Sequence, residues 1–339
     1  MSTPSLMRAV AITAPGEPDV LQLVDQPVPA IGPGDVLIRV AAAGVNGPDI
    51  AQRRGRYAPP PDASPLPGLE VAGEIVKAGA GVSGFEVGDR VMALTNGGGY
   101  AEYVAVPAGQ VLPLPAGWTL SEAAALPETW FTVTQTLVMR SGLLPGMTVL
   151  VHGASGGIGG AAVQITALLG ARPIAVVSSA AKAAYATTLG ADAVIDTSRE
   201  DLAERVRAIT GGAGIDRVVD LVGGAMTAVN IDLCATGGHI VQVATLGGAE
   251  ATVPLFKLMA KQLTLSGSTL RPQSRETKAA IAARIRADLL PGLSRAGTPR
   301  PRLTPFPLEA AAEAHRLMEG RGHIGKMVLE TDFGRQLTE

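Results

Sequence analysis

Residues 148–159 read Thr-Val-Leu-Val-His-Gly-Ala-Ser-Gly-Gly-Ile-Gly. An apolar strand, Thr148 to Val151, runs into the glycine turn Gly153–Gly159, which opens directly into an apolar helical run from Ile158 to Leu169. Small residues at Gly156, Gly157 and Gly159 let backbone N–H groups approach a pyrophosphate closely, and the start of the following helix adds its partial positive charge. The spacing departs from G-x-G-x-x-G because Ala154 replaces one glycine. A turn of this kind also occurs as a tight strand-to-helix connection that binds nothing, so its surroundings decide the reading.

Downstream, strand and helix patterns alternate. Strand-like Pro173–Val177, Ala193–Ile195, Arg217–Val222, His239–Val243 and Leu263–Leu265 are interleaved with helical runs at 180–189, 200–209 and 225–234. With the first strand this makes six, and helical crossovers between them imply a doubly wound parallel sheet of the dinucleotide-binding type. Upstream, short β-type runs such as Val36–Val40, Val71–Val76 and Arg90–Leu94 are separated by turns rich in Gly, Pro and Asp, the pattern of a barrel-like β domain. Three consecutive prolines, Pro59 to Pro61, make 59–67 a loop, with Tyr57 at its edge. From Ser121 the texture turns helical: Ser121 resembles a helix cap, and a second apolar run extends from Pro127 to Met139. After a helix at 277–290, a proline-rich link at 299–307 and a helix at 308–318, Lys326–Leu329 is strand-like. It has no place in a completed six-strand sheet, so the simplest topology returns it to the β domain. The expected organisation is a β-rich domain of residues 1–126 plus 270–339, interrupted by the dinucleotide domain at 127–269.

A chain of 339 residues with 47% hydrophobic content, 42 glycines and 25 prolines fits a soluble α/β protein with many tight turns. A net charge of -2 provides no electrostatic footprint for nucleic acid or an anionic membrane. The single cysteine, Cys234, excludes a disulfide framework within the chain and a thiolate metal cluster. The start Met1-Ser2-Thr3-Pro4 lacks a basic segment followed by an apolar run, and no stretch is long enough for a membrane span, so a cytoplasmic protein is expected.

Folds that prefer NAD place a carboxylate at the end of the second strand of the sheet, where it accepts from the ribose hydroxyls. Here that position reads Val177-Ser178-Ser179-Ala180-Ala181-Lys182, and a hydroxyl pair with a lysine suits the 2′-phosphate of NADPH. The plainer role for Ser179 is a helix cap, and for Lys182 a solvated charge.

Taken together, several runs resemble the medium-chain dehydrogenase/reductase superfamily, in its zinc-independent quinone oxidoreductase branch, over nearly the whole chain. They are 43–49 (Ala-Gly-Val-Asn-Gly-Pro-Asp), 55–61 (Gly-Arg-Tyr-Ala-Pro-Pro-Pro), 68–73, 98–104, 122–130, the glycine turn, 220–224 and 324–328. The subgroup it looks most like is that of the tumour-suppressor-inducible quinone oxidoreductases. The resemblance implies a GroES-like β domain interrupted by a Rossmann domain, a homodimer joined through the nucleotide-domain sheets, and a cleft between the domains. It implies that Asn46, Tyr57 and Thr132 line the nicotinamide and substrate pocket, that Gly156, Gly157 and Ile158 hold the pyrophosphate, and that Ser178, Ser179 and Lys182 hold the 2′-phosphate. Further cofactor contacts are implied at Val222, Gly223, Ala244, Leu246, Ser268, Leu270 and Lys326. Thr197 stands where many relatives carry a tyrosine against the adenosine phosphate, which argues for weaker NADPH selectivity.

Zinc enzymes of the same superfamily need a cysteine, a histidine and a second cysteine or acid. Asn46 stands at the place of the first cysteine and Leu69 at that of the histidine, leaving Glu70, and the four-cysteine lobe is missing, so no metal is expected. The histidines at 152, 239, 315 and 323 show no ligand spacing, and His152 suits a packed turn better than catalysis. Without a Lewis acid, a saturated ketone is hard to reduce, whereas a quinone or activated enone accepts hydride readily. The expected activity is NADPH-dependent quinone reduction, with Asn46 and Tyr57 hydrogen-bonding the carbonyl oxygen as it gains charge. Asn46 equally suits a cap on the Pro48-Asp49 turn, and Tyr57 a packed loop residue. An enone or enoyl reductase, and an NADPH-binding scaffold with little turnover, stay open.

Overall fold

The computed structural model describes residues 3–337, and the chain divides into two compact units, one up to Phe131 and again from Arg271, the other Thr132–Leu270. The first division falls inside the helix Pro127–Val133 and not at the proline that opens it. Its early residues are tied to the first unit: the backbone N–H of Glu128 donates to Glu70 Oε2 at 2.8 Å.

In the first unit, β1 (Leu6–Ile12) and β2 (Leu21–Pro27) form an antiparallel pair. The remaining strands before the division are β3 (Asp35–Gly44), β4 (Glu70–Ala78), β5 (Arg90–Leu94), β6 (Tyr103–Pro107) and β7 (Val111–Pro113). In the second unit follow β8 (Thr148–His152), β9 (Arg172–Val177), β10 (Ala193–Asp196), β11 (Ile215–Asp220), β12 (Cys234–Gln242) and β13 (Thr264–Gly267). The chain ends with β14 (Leu303–Pro307) and β15 (Lys326–Glu330), both in the first unit.

The second unit is a six-stranded parallel sheet in the order β10-β9-β8-β11-β12-β13, which reverses direction between β8 and β11. This is the doubly wound order of a Rossmann domain, whose binding crevice lies beyond the carboxyl ends of the strands at that reversal. Its core joins Leu150, Ile174, Ile195, Val218 and Ile240 from the sheet to Val206 and Ile231 of the covering helices. Strands so buried read as continuous apolar runs, which is why the six stand out in the sequence.

The first unit is built on a sheet ordered β14-β15-β3-β4-β5-β7, with β6 also paired to β3. Strand β15 pairs antiparallel with β3, Val328 opposite Gly44, so the chain's last strand returns beside its third. Gly73 of β4 is needed for closeness, since a Cβ there would lie 2.0 Å from the carbonyl oxygen of Arg39 on β3.

Three local expectations are corrected. The proline-rich link at 299–307 contains a strand, β14, parallel to β15. It is the edge of its sheet, where Pro305 and Pro307 leave no ladder bond unmade on the open side. The helix after the β domain is capped by Thr119, not Ser121: Thr119 Oγ1 accepts from the N–H of Glu122 at 3.2 Å, and Glu122 Oε2 accepts from that of Thr119 at 2.9 Å. Two orphan amides are satisfied reciprocally, while Ser121 donates to Glu330 at 2.5 Å. Lastly, the apolar run to Met139 is not one α-helix, because it widens to a π-helix over Thr134–Arg140, closed by Ser141 N–H to Thr136 O at 3.0 Å.

Candidate active site

The two units present separate sets of functional groups. In the second, the glycine turn follows β8 and enters the helix Gly157–Leu168, whose N-terminus has no side-chain cap. The first amides, those of Gly157 and Ile158, are therefore left for a ligand. Gly153 holds φ +61°, and a Cβ on Gly159 would lie 2.2 Å from the carbonyl oxygen of Gly153. The turn is thus closed on itself by the absence of a side chain.

Beside it, a cavity of about 450 Å³ is bordered by Gly153, Ser155, Ser178, Lys182 and Thr197. Lys182 Nζ donates to Ser178 Oγ at 3.3 Å, and Thr197 Oγ1 donates to Val177 O at 3.0 Å, bolting the end of β10 to the end of β9. Ser179 caps the helix Ala180–Thr188, its oxygen accepting from the N–H of Lys182 at 3.4 Å. Glu200 and Asp201 also border the cavity, but Glu200 pairs with Arg205 at 2.7 Å and Asp201 caps the next helix through Glu204 N–H at 2.8 Å. A nicotinamide dinucleotide fits this donor set, and the uncapped amides of the helix Gly157–Leu168 with Ser178 and Lys182 are the groups that would hold it.

The loop after β11 is held from behind. Asp220 Oδ1 accepts from the N–H groups of Val222 and Gly223 at 2.6 and 3.0 Å, and its Oδ2 accepts from Asn230 Nδ2 at 3.0 Å. Asn230 Oδ1 meets His152 Nε2 at 2.8 Å. His152 is buried, and burial pushes its imidazole below the usual range, so it serves as a packed hydrogen-bonding residue. Val222 and Gly223 consequently have no amide to spare. Ala244 and Leu246 lie beyond β12, where Ala244 O accepts from Gln242 Nε2 at 2.6 Å and Leu246 is exposed. Beyond β13, Ser268 Oγ donates to Gln135 Oε1 at 3.1 Å and Leu270 is buried. Thr132 is buried, and its carbonyl accepts from Thr136 Oγ1 at 2.7 Å.

In the first unit, Asn46 ends the loop after β3 and is buried. Its Nδ2 donates to Glu70 Oε1 at 2.8 Å and its Oδ1 accepts from Lys326 Nζ at 2.7 Å. Because an ammonium only donates, Lys326 fixes which end of the amide is oxygen. Lys326 also donates to Glu70 Oε1 at 2.5 Å and to Val45 O at 3.3 Å, so its three donors are all spent within this unit. Zinc does not fit here. Leu69 offers no ligand atom, both Glu70 oxygens are taken by Asn46, Lys326 and the Glu128 amide, and an ammonium stands on the one carboxylate left of the triad.

Tyr57 is half-buried, with the Arg271 guanidinium 5.6 Å from its ring centre. Burial, then the charge of Glu128, push its phenol up, against the pull of Arg271, so it stays protonated. Arg271 in turn donates to Asn96 O at 2.8 Å and to Gln52 Oε1 at 2.7 Å. Behind it, Lys278 Nζ reaches Asn96 Oδ1 at 2.5 Å and Arg271 O at 2.7 Å. Burial lowers Lys278 to about 8, and burial with the charges of Glu70 and Asp49 raises Glu128 to about 8. Glu70, Glu128, Arg271 and Lys278 are not among the site residues that the sequence indicates. Buried charges announce themselves only by their partners, and Lys326 lies 256 positions from Glu70.

This fold and these groups belong to the medium-chain dehydrogenase/reductases. Residues 32–116 match the alcohol dehydrogenase GroES-like domain, and residues 157–285 match the zinc-binding dehydrogenase family. The quinone oxidoreductase of Homo sapiens is 33% identical over 328 residues, spanning 96% of this chain and 98% of that protein. The synaptic vesicle membrane protein VAT-1 homolog of Rattus norvegicus is 34% identical over 343 residues, spanning 95% of this chain and 84% of that protein. Among solved structures, the Escherichia coli quinone oxidoreductase complexed with NADPH is similar at 30% identity and a TM-score of 0.78, covering 96% of this chain and 99% of that one. An NAD-dependent alcohol dehydrogenase is similar at 34% identity and a TM-score of 0.79, covering 96% and 99%. The chain belongs to the medium-chain dehydrogenase/reductase superfamily, in its quinone oxidoreductase branch, and is an oxidoreductase built for a nicotinamide cofactor.

Two substitutions check these assignments. Gly159→Val places a side chain against the Gly153 carbonyl and forces the turn apart, so dinucleotide affinity falls at least about tenfold, as read by nucleotide titration, with circular dichroism reporting the helix content kept. Lys326→Met leaves Glu70 buried without its cation and destabilises the first unit by about 3–5 kcal/mol, as read by denaturant unfolding; Glu70→Gln added to it restores most of that loss.

Proposed function

We propose that the chain is an NADPH-dependent, metal-free reductase of quinones, with residues of the first unit receiving the acceptor carbonyl. The observation that carries the cofactor choice is the Ser178 and Lys182 pair bordering one cavity, at the strand end where NAD-preferring folds carry an acid. Bound there, NADPH supplies a hydride. The chain itself holds the acceptor and balances its charge. Asn46 Nδ2 spends one N–H on Glu70 and has only a 3.5 Å contact to Gly44 O for the other, so an oriented donor is left for the carbonyl oxygen. Tyr57, protonated, offers a second donor and a source of the proton. No group here matches the strength of a Lewis acid, which restricts the acceptor to carbonyls that take hydride readily, quinones before enones. Relatives named quinone oxidoreductases support the same reading.

NADPH oxidation is followed with 1,2-naphthoquinone, 1,4-benzoquinone and an enone. The expected result is quinone turnover with a lower KM for NADPH than for NADH, and a loss of that preference of about tenfold in Lys182→Ala. Asn46→Ala and Tyr57→Phe each lower kcat by about tenfold or more. Preference for the enone makes the protein an enone reductase, and tight NADPH binding without turnover makes it a scaffold.

We also infer a homodimer joined edge to edge through the second unit. Strand β13 is an edge of its sheet with mostly exposed residues, and the neighbouring helix Leu255–Ala260 exposes Phe256 at 81% and Met259 at 70%. An uncovered edge strand beside apolar side chains suits pairing with a second copy. Light scattering after size exclusion reads a dimer, and Phe256→Asp with Leu265→Lys reads a monomer; a monomeric parent protein overturns the inference.

A further inference from the structure

The N–H of Asn46 donates to Asp49 Oδ2 at 2.9 Å, and the N–H of Gly68 donates to Asp49 Oδ1 at 2.9 Å. One carboxylate thus ties the segment bearing Asn46 to the segment that leads into Glu70. Gly68 is at φ +101°, and a Cβ there would sit 2.5 Å from the backbone nitrogen of Tyr100, so this junction is tightly packed.

Behind Asp49 lies a file of buried polar side chains. Tyr100 Oη is 3.3 Å from Asp49 Oδ2 and 3.1 Å from His315 Nε2, and His315 Nδ1 is 3.4 Å from Arg53 Nη1. Arg53 ends the file on Glu319 at 2.6 Å. Asp49, Tyr100, His315 and Arg53 are all fully buried. The direction of every bond is determined. Guanidinium nitrogens only donate, so His315 Nδ1 accepts and its proton sits on Nε2. That proton is donated to the Tyr100 oxygen, which leaves the phenolic proton for Asp49. Burial, with the charge of Arg53, holds His315 down to about 3, so the imidazole stays neutral and the order does not reverse.

We propose that Tyr100 and His315 are positioning residues for the active site: the one-way file of donors keeps Asp49 an ionised double acceptor, and Asp49 sets the placement of Asn46. The proposal rests on the reading of Asn46 as the donor to substrate. A protonated Asp49 gives up acceptor capacity on one oxygen, and the Asn46 or Gly68 amide then loses its partner.

Burial raises Asp49 to about 6, against the amides of Gly68 and Asn46 and the charge of Lys326, while Glu70 adds to the rise. The other groups that face it are Tyr100 and His315 on one side, with Glu128 and Arg271 sensing its charge from the other. A donor to the charged form favours that form, so removing the Tyr100 hydroxyl raises the Asp49 pKa. Asn46 then loses its acceptor at a higher pH. Glu128 and Lys278 titrate near 8 and are separated from this limb.

The test is a pH titration of the Asn46 and Gly68 amide resonances in full-length protein labelled with 15N at Asn and Gly, which needs no substrate. The wild type is expected to show a midpoint of about 6 for both amides. In Tyr100→Phe it moves up by about half a unit or more, and in His315→Leu in the same direction. His315→Gln retains an N–H toward Tyr100 and restores the wild-type midpoint. In turnover, the acid limb of kcat with 1,2-naphthoquinone moves up with it, so that kcat in Tyr100→Phe falls by about threefold on the acid side of the midpoint and much less at neutral pH, with KM for NADPH unchanged. Amides that do not titrate, or the same midpoint in Tyr100→Phe, overturn the proposal. Tyr100→Phe removes a single oxygen, so it decides even where His315→Leu does not fold. If the amides behave as expected but Asn46→Ala keeps full turnover, Asp49 still holds the loop and it is the substrate site that has been misassigned.

Discussion

The ion pair between Glu70 and Lys326 is the interaction on which the first unit's site depends. The carboxylate is fully buried and the ammonium 5% exposed, at 2.5 Å. Desolvating two such charges costs several kcal/mol each, and Coulomb attraction offsets that only when every remaining lone pair and proton is matched. Here they are matched. Glu70 also takes an N–H from the Asn46 side chain and one from the Glu128 backbone, while Lys326 is satisfied by Asn46 Oδ1 and Val45 O. The pair therefore joins β4, β15, the loop after β3 and the helix Pro127–Val133, and it orients the one amide proposed to meet the substrate.

Around this pair the first unit buries further charged groups. Asp49 and Glu128 are raised, and Lys278 is lowered, chiefly by burial. Arg271 and Lys278 sit on the neutral oxygens of Asn96 and Gln52. Such perturbed groups clustered beside a tyrosine and an oriented amide support the proposed placement of the substrate carbonyl there. The second unit works differently. The groups proposed to face its ligand are backbone amides at a glycine turn, and the buried side-chain network His152–Asn230–Asp220 braces a loop from behind. Glycine is needed where two backbones and a ligand converge, and charge where a reacting atom must be stabilised.

Much of the Rossmann unit was legible in the sequence because buried parallel strands are continuous apolar runs and the glycine turn has a fixed place after the first of them. The strand ends that carry Ser178, Lys182 and Thr197 were legible for the same reason, and the three residues border one cavity. Ser179 was legible as a cap, and it caps the helix Ala180–Thr188. In the first unit, β14 was hidden by its prolines, since an edge strand and a proline-rich link have the same local composition. The cap lies at Thr119, two residues before the expected one, and the π-helix at Thr134–Arg140 has no signature in apolar spacing.

The sequence by itself determined the parallel sheet, the glycine turn that opens a helix after its first strand, the missing zinc ligands and the return of the last strand, because each is a property of neighbouring residues or of what a completed sheet excludes. Tertiary structure alone decided that Lys326 stands on Glu70 and spends its donors there, that Asp49 is braced by a tyrosine and a histidine from distant segments, and that Arg271 lies over Tyr57. These are pairings between positions far apart in the chain. Their energies arise from desolvation and matched hydrogen bonds, which exist only once β3, β4 and β15 have brought the groups together.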